Sequence, residues 1–189
     1  MGQLTYATTI SLDGYVSDEN RKLDWSVPDE AVFDKHLERI QQVSTEILGR
    51  TTYQMMQYWE NYDPDAGTAA EAEFAEKWRT IDKIVVSNTM DDTDRNADRD
   101  RLVRSLSIND VKGIVNEADG QVEIFGPSTA AESIRAGLVE VFEFFIVPVV
   151  LGAGLRALPD GVRLDLRLTD RTVFENGVIH ARYERAAGF

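Results

Sequence analysis

The sequence predicts an α/β domain, a mixed and mainly parallel sheet with helices on both faces and an antiparallel hairpin at the C-terminus. Three observations carry this. Short apolar runs alternate along the chain with stretches of helical periodicity, the order expected of strand–helix–strand units. Two of those runs, "KIVV" (Lys83 to Val86) and "VEIF" (Val122 to Phe125), are short and bounded by polar or turn residues, as strands buried in a parallel sheet are. Finally, Asn176-Gly177 stands between two segments of alternating pattern, the strongest short-range signal for a hairpin.

In order, Thr5 to Ile10 reads as the first strand, turning at Asp13–Gly14. Pro28 to Val43 reads as a helix: Pro28 suits the first turn, Asp29 and Glu30 complement its positive end, and Phe33, Leu37 and Ile40 form one apolar stripe. Glu46 to Leu48 is a short strand stopping at Gly49, followed by helical stretches at Thr52 to Tyr58 and Ala69 to Trp78. After the strand at Lys83 to Val86, the charged segment Asp91 to Asp100 reads as a solvated loop. Ser107 or Asn109 caps a helix running to Glu117. The strand Val122 to Phe125 leads into a helix from Thr129 to Ala136, with Gly137 ending it at C′. Phe142 to Val150 is a long strand in which Pro148 indicates an edge or a bulge. Leu164 to Phe174 and Val178 to Arg185 then form the closing hairpin.

A chain of 189 residues, 43% hydrophobic and without internal repeat or linker, suits one domain over residues 1–189. No apolar run approaches the roughly 20 residues that cross a bilayer, and Met1 to Ile10 lacks the layout of a signal peptide. The absence of cysteine excludes disulfides, zinc–thiolate sites and a cysteine nucleophile, and the expected location is the cytoplasm. Acidic residues outnumber basic ones 33 to 20, for a net charge of −13. Such a chain repels phosphate backbones, so no nucleic-acid partner is expected. An anionic cofactor then needs a local positive site, made from arginine and helix N-termini.

Two segments share that design, an apolar strand, a glycine turn and a helix start. In Ile47-Leu48-Gly49-Arg50-Thr51-Thr52-Tyr53, threonine hydroxyls and free backbone N–H groups can hold an anion, and Arg50 adds a full charge. In Val122 to Glu132, Gly126 lets the backbone approach a ligand, and Thr129 and Glu132 have the spacing of a capping box. Taken singly, each is an ordinary strand-to-helix turn; together at one sheet edge they suit a dinucleotide pyrophosphate. No G-x-G-x-x-G or G-x-x-x-x-G-K-[ST] pattern is present. His36 and His180, far apart in sequence and on different elements, suit surface or core roles better than a metal pair, and no metal is expected.

Several runs, in order, resemble the dihydrofolate-reductase-like superfamily, and within it the riboflavin-biosynthesis reductase domain, the C-terminal half of bifunctional deaminase-reductases. They are "SLDGYVSDEN" (Ser11 to Asn20), "LDWSVPDE" (Leu23 to Glu30), "LGRTTYQ" (Leu48 to Gln54), "KIVVSNT" (Lys83 to Thr89), "FGPSTAAESIRAGLVEVFEFFIVPVVLGAG" (Phe125 to Gly154) and the terminal hairpin. The resemblance implies a dihydrofolate-reductase-like fold and an NADPH-dependent reductase of a small pyrimidine or pteridine, with 5-amino-6-(5-phosphoribosylamino)uracil as the family's substrate. It implies that Gly49, Arg50 and Thr51 bind cofactor phosphates, with Arg50, Ser87 and Asn88 around the 2′-phosphate. Gly126, Ser128 and Thr129 would cradle the pyrophosphate. Ala7 and Gly14 would border the nicotinamide, and Asp13 would orient substrate. The family's Gly-Gly is Phe125-Gly126 here, a pair joined in dihydrofolate reductases by a cis peptide. The segment from Trp25 resembles the one whose acid contacts the pterin; aligning Trp25 selects Glu30 as that acid, and aligning Phe33 selects Asp29. The substrate pocket is expected between the Asp13–Tyr15 turn and the start of the Pro28 helix. A symmetric homodimer through the last third is expected from the apolar "FEFFIVPVVLGAG" and the hairpin beyond it.

Overall fold

The computed structural model describes residues 2–95 and 99–186. Its main sheet has eight strands in the order β5-β4-β3-β6-β1-β7-β10-β9. These are β1 (Leu4–Ser11), β3 (Val43–Gly49), β4 (Asp82–Val86), β5 (Arg101–Val103), β6 (Gln121–Phe125), β7 (Val141–Val147), β9 (Leu166–Val173) and β10 (Ile179–Arg185). From β5 to β7 every neighbouring pair is parallel. β10 then runs antiparallel to both β7 and β9. A minor sheet pairs β2 (Tyr15–Ser17) with β8 (Leu155–Arg156). This is a dihydrofolate-reductase-like α/β fold.

Helices cover both faces. On one side α1 (Glu30–Ile40), α2 (Arg50–Glu60) and α3 (Ala69–Thr80) bury Ile40, Tyr53, Met56, Phe74 and Trp78 against Leu48 and Val85 of the sheet. On the other, α4 (Ile108–Glu117) and α5 (Pro127–Arg135) bury Val111, Ala130 and Ile134 against Tyr6, Ile47, Val122, Ile124 and Phe142. The period of two along each strand sends alternate side chains to the two cores. Caps set most boundaries: Thr68 and Glu71 form a capping box at α3, Ser107 and Asp110 another at α4.

Several boundaries differ from the sequence reading. Helix α1 begins at Glu30, not Pro28, because Asp29 stays extended and its carboxylate accepts a hydrogen bond from the Val32 N–H at 2.9 Å. It ends at Ile40, and Val43 opens β3 instead. Helix α5 starts at Pro127, whose fixed φ suits the first helical position. Gly126 is therefore its N-cap, and Thr129 and Glu132 make no capping box. Pro148 lies just past β7, an interior strand, so it marks the strand's end and neither an edge nor a bulge. Of the Asp91 to Asp100 loop, residues 96–98 lie outside the described residues. Its end is no solvated loop: Asp100 is buried and accepts a hydrogen bond from the Tyr53 hydroxyl.

The α1 face of the sheet also carries a buried polar seam. Glu46 on β3, Glu123 on β6, Glu143 on β7 and His180 on β10 all lie out of solvent. Arg39 of α1 pairs with Glu123, and Arg182 of β10 pairs with Glu143.

Candidate active site

The parallel strands deliver their C-terminal ends to one edge of the sheet, where ligands of open α/β sheets gather. β3 passes directly from Gly49 into α2, and β6 passes through Gly126 into α5. Because Leu48 pairs with Phe125, the two helix N-termini open side by side. A Cβ on Gly49 would stand 2.7 Å from the Thr129 Oγ1, and one on Gly126 would stand 3.0 Å from the Thr52 Oγ1. Gly126 also sits at φ +100°, a conformation that favours glycine. These glycines let the two turns approach closely and place free first-turn N–H groups and two threonine hydroxyls side by side, a cradle of donors and dipoles of the kind that hold a diphosphate. Thr51 and Ser128 are exposed on the first turns of the same helices.

Beside the cradle, Arg50 donates from Nη1 to the Thr89 Oγ1 at 2.8 Å. The buried Ser87 hydroxyl oxygen accepts from the N–H groups of Thr89 (3.2 Å) and Met90 (3.0 Å), shaping the turn that holds the exposed Asn88. Arg50, Ser87 and Asn88 thus meet at the paired ends of β3 and β4. Arg104, missed by the sequence reading, braces the same turn by donating to the carbonyls of Ser87 (3.1 Å) and Met90 (2.7 Å). The signal was weak, since Arg104 follows a strand of only three residues.

Asp13 and Gly14 lie at the end of β1. The Asp13 carboxylate accepts from the Ser11 hydroxyl (2.7 Å) and from the N–H groups of Leu151 (3.1 Å) and Gly152 (2.7 Å). The Ser11 hydrogen bond and the two N–H bonds, against a smaller desolvation, hold its pKa at about 2. Asp13 is a fixed anion that fastens the 149–152 segment to the β1 turn. Ala7 is buried on β1, two residues before Thr9.

Thr9 opens on a 140 Å³ cavity beside β1. β7 and its end supply Phe145, Val147 and Pro148; the segment before α1 supplies Ser26, Val27 and Pro28. Val32 and His36 of α1 and Asn176 and Val178 of the hairpin complete the wall. A larger depression of 480 Å³ lies at the far end of α2, around Tyr58 and Tyr62, away from the strand ends.

Asp29, exposed at the start of α1, touches this wall through Asn176. One carboxylate oxygen caps α1, and the other accepts from the Asn176 Nδ2 at 2.7 Å. Glu30 is exposed on the first turn of α1. The structure also unites the two histidines: His36 stacks on Phe145 with centroids 3.8 Å apart, and His180 lies 4.8 Å from the same ring. Burial, helped by the charge of Arg39, pushes the His36 pKa down to about 3, so its ring is neutral.

A family model described as the RibD C-terminal domain matches residues 3–180. The Bacillus subtilis protein YyaP is 26% identical over 180 residues, covering 92% of this chain and 90% of that protein. Among solved structures, the Thermotoga maritima diaminohydroxyphosphoribosylaminopyrimidine deaminase/5-amino-6-(5-phosphoribosylamino)uracil reductase superimposes with a TM-score of 0.68 at 14% identity, over 98% of this chain and 57% of that one. An Enterococcus faecalis dihydrofolate reductase complexed with NADP(H) gives 0.63 at 16% identity, over 98% of each chain.

Proposed function

The chain belongs to the RibD C-terminal domain family, and we propose that it is an NADPH-dependent reductase of a small heterocyclic substrate, of pyrimidine or pteridine type. One observation carries this reading: two glycine-tipped helix N-termini lie side by side, each glycine packed against a threonine hydroxyl of the other helix, one strand away from the cavity beside β1. The cradle would hold the pyrophosphate on Gly49, Thr51, Gly126, Ser128 and Thr129. Arg50, Ser87 and Asn88 would take the 2′-phosphate, with the charge of Arg104 behind them. The nicotinamide would cross the end of β1, bordered by Ala7 and Gly14, and reach the cavity from that side.

When bound, the reduced nicotinamide supplies the hydride. The chain's own part is orientation and the proton. Thr9, His36 and Asn176 position the substrate in the cavity. Asp29 is the proton-delivering acid of this reading, since its carboxylate accepts a hydrogen bond from Asn176, a residue of the cavity wall. Asp13 holds the lip of the site and carries no proton in the neutral range. A nucleotide-binding protein without turnover is the second reading, favoured by the engagement of both Asp29 oxygens.

The protein would act in the cytoplasm as a symmetric homodimer, without nucleic acid or membrane partners. NADPH oxidation assayed against pteridines, pyrimidines (5-amino-6-(5-phosphoribosylamino)uracil among them) and small carbonyl compounds tests the activity. Turnover of at least one is expected; NADPH binding without any turnover would favour the second reading.

A further inference from the structure

We infer that the cavity beside β1 takes a single-ring, uncharged compound without a phosphate, and not a phosphoribosyl derivative; this rests on the reductase reading above. Size is the first argument. The cavity measures 140 Å³, whereas pockets for larger ligands run roughly 300–1,000 Å³. It holds one ring and leaves a ribose phosphate outside.

Charge decides what that outside would offer. Every lysine and arginine of the chain is among the described residues, and none lines the cavity. His36, the one titratable group in the wall, is neutral. Lys35 beside it is turned to Glu38 at 2.9 Å and Asp170 at 3.7 Å. The charged residues adjoining the wall at Pro28 and Asn176 are the acids Asp29, Glu30 and Glu175. A phosphate carried at the mouth would adjoin those carboxylates, and the cavity wall holds no guanidinium to fork onto it.

The wall suits a flat neutral ring instead. The stacked His36 and Phe145 present aromatic surface, Val27 and Val147 are apolar, and Thr9 and Asn176 offer polar groups for ring N–H and C=O. Polar groups placed in this way give orientation, and an uncharged ligand enters without the desolvation cost of an ion.

The test titrates NADPH-loaded protein with uracil, with 5,6-diaminouracil and with 5-amino-6-(5-phosphoribosylamino)uracil in a calorimeter. At least one free ring is expected to bind tenfold more tightly than the phosphoribosyl compound. Equal or reversed order, or no binding of either free ring, would overturn the inference while leaving NADPH binding intact. If NADPH itself does not bind, the reductase reading falls, and the same ring comparison on the cofactor-free protein still decides the cavity's preference. A variant isolates the charge. Glu175, exposed on the hairpin beside Asn176, lies outside the cavity lining, so Glu175→Arg should raise affinity for the phosphoribosyl compound at least fivefold and leave uracil unchanged. No gain would overturn the argument from charge.

Discussion

Asp13 and Asp29 are chemically identical side chains that the fold sets to different work. Asp13 is saturated by a hydroxyl and two backbone N–H groups and stays ionised down to about pH 2. Asp29 caps α1 with one oxygen and reaches the cavity wall through Asn176 with the other. Replacing Asp29 by its amide separates the two roles, because asparagine caps a helix about as well as aspartate. Asp29→Asn should therefore keep the melting temperature and NADPH affinity but lower turnover on a true substrate at least a hundredfold, in line with the roughly 10²–10⁴-fold that general acids supply. A normal rate would remove Asp29 from the chemistry. The cap itself was legible, since an aspartate precedes an apolar-periodic helix. Asn176 was not, because it meets Asp29 across 147 positions of sequence. The pairing of His36 and His180 on one phenylalanine was hidden for the same reason.

Element boundaries came from local chemistry, and the differences did too. Gly137 ends α5 at φ +69° as a C′ glycine should, and Gly177 turns the hairpin at φ +85°. Pro127 started α5 two residues before the expected Thr129, because a first-turn proline outranks a threonine placed at the third position. The buried seam under α1 had no local signal. Glu46, Glu123 and Glu143 stand in strands that otherwise read as apolar, and only pairing across strands reveals their shared burial. Desolvation, then the nearby Glu123, pushes the Glu46 pKa up to about 8, against the pull of Arg39 and Lys83. A raised folded-state pKa stabilises the fold fully below the ordinary glutamate value of 4.5 and loses that contribution as pH rises through about 8. Glu46→Gln imitates the protonated acid and cannot ionise. Thermal denaturation from pH 5 to 9 should show the wild-type melting temperature falling relative to the variant, by at least about 2 °C. Parallel curves for the two proteins would mean that Glu46 does not titrate in this window.

For the whole molecule, the alternation of strand and helix and the terminal hairpin made the architecture legible, and the ordered motifs placed it in its superfamily. The strand order and the meeting of α2 with α5 were not, since register between distant strands leaves no periodic trace. At the far edge of the sheet, β9 and β10 expose Leu168, Val173 and Ile179. β9, an edge strand of the sheet, leaves one row of backbone N–H and C=O groups unpaired within the sheet, and such an edge invites pairing with another chain. Light scattering at micromolar concentration should return twice the chain mass, and a monomer would leave that edge without its proposed partner. On the proposed function, the joined ends of β3, β4 and β6 bind a phosphorylated dinucleotide through Arg50 and the two glycine turns. Calorimetric titration with NADPH and NADH, on wild type and on Arg50→Ala, checks that binding. A charge-assisted contact is worth roughly 1.5–3 kcal/mol, about 10–150-fold in affinity. Wild type should prefer NADPH by at least that lower factor and Arg50→Ala should lose most of the preference, whereas equal affinities of the wild type for the two cofactors, or binding of neither, would contradict the account.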